Sequence, residues 1–274
     1  MQRHWIKLSG LLLLALVTAC AKPTTQRPVI DRAAVSQETA YQKSQLQQVG
    51  RDIRKTPYTK QEIAVMQQRL AQHGERVRQA GMRMCEYMGK KPGSCQFTFK
   101  LEPKEELNAY ANGKEIVVTP AMMRFAQSDD WLGIVLSHEY AHNIMGHVNA
   151  KMQNATAGML AGTLADILAQ SQGLNTGGQL SNLGAQTASE AFSPEFEEEA
   201  DYVGMYIMAI AGYDITQASA LWRAMTTADP RGAFLRGSHP ANPERYVLIE
   251  STKNEIIQKV KNKQILVPNI RPKA

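Results

Sequence analysis

The sequence predicts an α+β fold, a mainly helical body carrying one small antiparallel sheet. Three observations lead there. From Thr59 to Met88, the residues Ile63, Met66, Leu70, Val77 and Met84 fall near one face of a helix. Two strand-like runs, Leu107 to Ala111 and Ile116 to Thr119, are joined through Asn112-Gly113, a strong hairpin signal. Beyond Asp129 the chain reads as successive helices with their own start and stop residues. The 274 residues suffice for one domain with a sizeable core plus tails, and 43% hydrophobic with 20% charged residues is an ordinary globular balance.

In chain order, residues 1–19 read as a leader. Arg3 and Lys7 precede an apolar run from Leu8 to Val17, and Thr18, Ala19 and Cys20 follow. A charged start, an apolar segment and small residues describe a secretory signal peptide. The run is too short to span a bilayer, which takes about 17 residues or more. Residues 20–58 are rich in Gln, Thr, Ser and Lys and read as a tether, with transient helix at most. The folded domain is expected over 59–265, with 266–274 as a tail.

Within that domain, Thr59 followed by Glu62 fits a capping box. Cys85 and Cys95 flank the turn-prone Lys91-Pro92-Gly93-Ser94 and remain as one pair if Cys20 is modified. An exported compartment permits a disulfide between them, and two free buried thiols are the alternative. Phe97 and Phe99 alternate with polar residues as on a half-buried strand, and the hairpin follows. The next helix starts near Asp129 or Asp130. Residues 150–192 are poor in charge and rich in Ala, Gly, Leu, Gln and Asn, which suggests two small-residue helices around a break at Gly173 to Gly178. They read either as a mobile cover or as a fixed helical hairpin. Further helices are expected from Glu195 to Ala211, after Asp214, and from Asn242-Pro243-Glu244 to about Lys263.

The chemistry is concentrated on two of these helices. His138 and His142 are four residues apart, hence about 40° apart around a helix, so both imidazoles point the same way. That is the spacing of a zinc site, and Glu139 stands beside it as a candidate general base. His147 lies about 180° round from His138 and is expected to be structural or capping. The third ligand should come from a second helix. Glu197 and Asp201 share a face there, so one can ligate while the other supports a ligand histidine, with Glu197 the expected ligand. His239, on a turn before a capped helix, has two possible roles: an oxyanion-stabilising donor or a fourth ligand that holds the site off.

The Asn108-Ala109-Tyr110-Ala111 run, the hairpin, His138 to His142, Glu197 to Asp201, and Ser238-His239-Pro240 with Arg245 together resemble the gluzincin family of CAAX prenyl-proteases and HtpX-type proteases. The likeness covers roughly 59–265. It implies a zincin-type helical metallopeptidase domain with the sheet at the cleft edge, one zinc ion per chain, and endopeptidase activity on proteins or peptides. It also suggests that substrate adds as a strand along Asn108, Ala109, Tyr110 and Ala111, the alternative being that this hairpin is merely core sheet. Separately, Val17-Thr18-Ala19-Cys20 resembles the lipobox of bacterial lipoproteins. That resemblance implies lipidation at Cys20, and Ala21 rather than Asp implies the outer membrane, facing the periplasm.

The net charge of +6 includes the leader's Arg3 and Lys7, and much of the rest sits at Lys253, Lys259, Lys261, Lys263, Arg271 and Lys273. No nucleic-acid module accompanies it, so no nucleic-acid partner is expected and the charge reads as a solvated face. Two functional classes follow: a quality-control endopeptidase of envelope proteins, or an assembly factor that binds outer-membrane proteins and cleaves little. Glu139 favours the first, because binding alone needs no general base.

Overall fold

The structure is a computed structural model and describes residues 22–46, 58–104, 106–189, 192–228, 239 and 242–271. The leader, Cys20 and residues 47–57 of the expected tether lie outside these. The packing yields two compact units, one of residues 23–146 with 193–274 and another containing residues 147–192.

In the larger unit, α1 (Arg32–Leu46) is followed by α2 (Lys60–Tyr87), which begins with the expected capping box between Thr59 and Glu62. A short 3₁₀ turn, Pro92–Cys95, closes the loop bridged by the Cys85–Cys95 disulfide. Strands β1 (Thr98–Leu101), β2 (Ala109–Ala111) and β3 (Glu115–Val118) form one sheet in the order β1-β3-β2. The Asn-Gly hairpin makes β2 and β3 antiparallel as expected. By contrast β1 pairs parallel with β3, so the sheet is mixed. The crossover is possible because the chain leaves β1 and returns through β2 before β3 runs between them.

Thr119 caps the short α3 (Pro120–Phe125), which the sequence pattern did not suggest. Helix α4 (Asp129–Met145) is capped by Ser128 and ends at Gly146 in the left-handed conformation. It packs along α7 (Pro194–Ile210), capped by Ser193 with Pro194 at its first position. Gly204 permits the close approach, since a Cβ there would lie 3.1 Å from His138 Cα. Helix α8 (Ala218–Ala228) and helix α9 (Pro243–Lys261), capped by Asn242, complete this unit. The core draws on Leu70, Val77, Met84, Leu132, Leu136, Tyr140, Val203 and Ile207.

The tether expectation needs correction. Helix α1 packs on α8 and α9, with Glu38 accepting from Arg223 at 2.6 Å. Its polar composition misled because ion pairs, not a broad apolar stripe, hold it. Residues 24–26 pair with 269–271 and close on the buried Glu199, so the 266–274 tail is also partly incorporated.

The other unit contains α5 (His147–Ser171) and α6 (Gln179–Ser189), an antiparallel hairpin turning through Gly173, Gly177 and Gly178, all at positive φ. His147 is buried at the start of α5, its ring 6.3 Å from that of Phe192, in keeping with a structural role. Among the described residues, no helix is long and apolar enough to cross a membrane.

Candidate metal centre and active site

Helices α4 and α7 bring the expected residues together. His138 and His142 project from one face of α4, and their Nε2 atoms are 3.1 Å apart. Glu197 Oε1 from α7 lies 3.4 Å from His142 Nε2. His239 adds Nδ1, 2.9 Å from Glu197 Oε1 and 3.3 Å from His138 Nε2. These four ligand-type atoms all lie within 4.8 Å of one another. Zinc–nitrogen and zinc–oxygen bonds near 2.0–2.1 Å place tetrahedral ligands roughly 3.3 Å apart, and the observed separations match that edge. The donor set therefore fits zinc.

Around this cluster the charges are buried and interlocked. Asp201, one turn after Glu197, reaches His138 Nδ1 at 3.0 Å and so holds the Nε2 atom toward the cluster. Arg245 grips Asp201 bidentately, Nε to Oδ2 at 2.7 Å and a terminal nitrogen to Oδ1 at 2.8 Å. Its other nitrogen lies 2.9 Å from Glu197 Oε2, and its guanidinium sits 4.0 Å above the Trp222 ring centroid. The sequence pattern placed Arg245 within the family likeness but not in this clamp. Its position just after the Asn242 cap, in a chain whose acidic pair needed a countercharge, was the available signal.

The ionisation states follow from this packing. Burial alone would raise the Glu197 carboxyl, but the charges of His239 and Arg245 and hydrogen bonds from both α4 histidines hold it well below the carboxylate range. Asp201 is likewise lowered against burial, by Arg245 and His138. Burial disfavours charge on His138, yet Asp201 and Glu197 together lift it to about 9 in the metal-free chain. Glu139 is pushed up by burial, with His239 and His138 opposing.

Glu139 sits next to both the cluster and the sheet. Its Oε1 lies 3.4 Å from His239 Nε2, and the backbone of Ala111 donates to its carboxylate. Ala111 ends β2, whose outer side carries no further strand among the described residues. Ala109, Tyr110 and Ala111 thus form an edge that leads to Glu139. Asn108 precedes the strand and is fixed to Thr119, its N–H donating to the hydroxyl at 3.1 Å. Tyr110 is steadied by its hydroxyl donating to Glu102 at 2.8 Å.

The sequence pattern of Peptidase family M48 matches residues 71–253, which takes in both zinc helices, the sheet and Arg245. The chain belongs to peptidase family M48. Among relatives in this M48 neighbourhood, the mitochondrial metalloendopeptidase OMA1 of Schizosaccharomyces pombe is 30% identical over 145 residues, 50% of this chain and 41% of that protein. The metalloprotease LoiP of Escherichia coli is 26% identical over 155 residues, covering 54% and 59%. The beta-barrel assembly-enhancing protease of Yersinia pestis is 28% identical over 127 residues, covering 43% and 26%. The match thus spans less than two thirds of each relative.

Proposed function

We propose that this protein is a zinc-dependent endopeptidase of the bacterial envelope, cleaving misfolded or misassembled envelope proteins and tethered by lipid at Cys20 to the outer membrane. The observation that carries the catalytic reading is the His138–His142–Glu197 convergence with Glu139 alongside. Relatives named metalloendopeptidase, metalloprotease LoiP and beta-barrel assembly-enhancing protease support the class, and the last of these supports a bacterial envelope setting, whereas OMA1 is mitochondrial. The lipobox-like run to Cys20 supports the anchor.

His138, His142 and Glu197 would hold the zinc, which when bound acidifies a water molecule and polarises a carbonyl oxygen. Glu139 takes the proton from the attacking water and delivers it to the departing amine. Substrate lies along β2 as an added strand, so its scissile bond comes beside Glu139. Asp201 and Arg245 keep His138 oriented and Glu197 ionised. His239, with Nδ1 2.9 Å from Glu197 and 3.3 Å from His138, would supply a fourth ligand to a bound zinc and hold the site off.

Cleavage of casein with and without a chelator, and with zinc restored, tests the activity. Glu139→Gln should lower turnover about 100-fold or more while zinc content stays near one per chain. Retained turnover would remove Glu139 as the base, cleavage unchanged by the chelator would remove the metal from catalysis, and negligible cleavage by the zinc-loaded protein would favour the binding factor. His239→Ala should raise basal cleavage with zinc retained. A fall of about 100-fold would instead assign it to oxyanion stabilisation.

A further inference from the structure

The segment just after Cys20 is not a free leash. Residue Glu199, on the zinc helix α7, is buried and accepts from Thr24 N and Thr25 N at 2.6 Å each and from the Thr25 hydroxyl at 2.7 Å. Arg27 adds an ion pair to Glu198 at 2.8 Å. The C-terminal segment lies antiparallel beside this strap: Gln26 N donates to Asn269 O at 2.7 Å, and Arg271 N to Thr24 O at 2.9 Å. Lys259 Nζ binds Val267 O at 2.6 Å, and Asn269 N donates to the Tyr202 hydroxyl at 3.0 Å, which ties the tail to α9 and α7.

Thr24 is four positions beyond Cys20, so even fully extended chain reaches only about 14 Å. An acyl-bearing Cys20 would therefore keep this edge close to the headgroups, well within a few Debye lengths of about 8 Å. The edge has the matching chemistry. Lys261, Lys263 and Arg271 are exposed and make no ion pair among the described residues. Val29 is 92% exposed, Ile265 65% and Ile270 49%, so aliphatic side chains stand in solvent beside these cations. Basic residues interleaved with exposed aliphatic ones suit an anionic bilayer interface.

Resting on the lipid-anchor reading, we propose that the edge formed by residues 24–29 and 261–271 is a membrane-apposed face that binds anionic phospholipid headgroups through Lys261, Lys263 and Arg271. The tail's positive charge, which the composition alone assigned to a solvated face, then has a partner. The zinc helix is fixed relative to the bilayer through Glu199 rather than swinging on a tether.

The full-length lipidated protein carrying Ile265→Cys, labelled with an environment-sensitive fluorophore, is mixed with vesicles. A blue shift is expected with phosphatidylglycerol–phosphatidylcholine vesicles and should largely vanish with phosphatidylcholine alone or in high salt. Combining Lys261→Gln, Lys263→Gln and Arg271→Gln should abolish the shift without changing the melting temperature or casein cleavage. Equal emission on both vesicle types would overturn the proposal, as would an equal shift from a label at Val65→Cys on α2. A dimer in detergent that Ile265→Asp dissolves would assign the face to a second copy and overturn it too. Mass spectrometry of the N-terminal peptide keeps the two readings apart. Unacylated Cys20 removes the anchor, whereas acylated Cys20 without a shift removes only the apposed face.

Discussion

Helix α4 and the hairpin α5–α6 are both rich in apolar residues but are held by different physics. From Leu132 to Ile144 every residue of α4 is buried, and its histidines meet carboxylates on α7 that Arg245 of α9 in turn grips. In α5 the buried residues are His147 and Ala150, while Met152, Ile167 and Leu168 stand exposed. The hairpin closes instead by backbone approach: a Cβ on Gly162 would meet Leu180 O, and one on Gly184 would meet Gly158 O. One region depends on charge satisfied in a dry interior, the other on the absence of side chains. The first tolerates no missing partner, and the second no added methyl.

The largest expected effect comes from taking one partner out of the charged region. Arg245→Met keeps much of the volume but leaves Asp201 and Glu197 buried without their countercharge. Removing one member of a buried ion cluster costs roughly 3–5 kcal/mol. Denaturant unfolding of the metal-free protein should show a loss of that size, and zinc affinity should fall because Asp201, which orients His138, loses the clamp that holds it. A loss below about 1 kcal/mol would mean that water reaches the cluster and that α4 does not depend on charge satisfied in a dry interior.

A smaller effect is expected in the hairpin. Gly184→Ala places a methyl 2.2 Å from Gly158 O, so α5 and α6 must separate locally. Overpacking of this kind costs about 1–3 kcal/mol, and hydrogen exchange should quicken between residues 152 and 189 while α4 and α7 keep their protection. Faster exchange in α4 as well would show that the two units unfold together.

How much of this was legible follows the same division. His138, Glu139 and His142 were readable because helical spacing alone sets their common face. Glu197 and Asp201 were readable for the same reason, and Asn112-Gly113 announced the β2–β3 pairing locally. The parallel partner of β3 was not, since nothing near Thr98 encodes a return of the chain by way of β2. The Arg245 clamp and the Thr24–Glu199 contact join residues 44 and 175 positions apart, and no periodicity records such pairs. Helix α1 was hidden by polar composition, because its stabilising contact is an ion pair made with Arg223 from a distant helix.

The smallest effect concerns pH and a histidine away from the metal. His73 on α2 is buried, its Nδ1 bonded to the Tyr213 hydroxyl at 2.8 Å and its Nε2 3.2 Å from Asp129. Burial, helped by the charges of Arg69 and Arg76, lowers its pKa below 6.5 although Asp129 and Asp130 pull the other way. A folded-state pKa below the unfolded value means that the unfolded chain takes up the proton first. The contribution is therefore complete above about pH 6.5 and is lost as the pH falls through the folded value. The zinc ligands impose a slope of the same sign, because their histidines must be neutral to bind metal. Comparing zinc-loaded wild type with His73→Gln isolates the share due to His73. Melting temperatures measured from pH 7.5 down to pH 5.5 should fall less steeply in the variant. In the hairpin, Asp166 has a lowered pKa from its bonds to Thr176, Ser181 and Leu180, so it stays ionised throughout this window. Identical slopes for wild type and His73→Gln would mean that the proton finds His73 as readily in the folded chain as in the unfolded one, and that this part of the buried charge network is wetter than its packing implies.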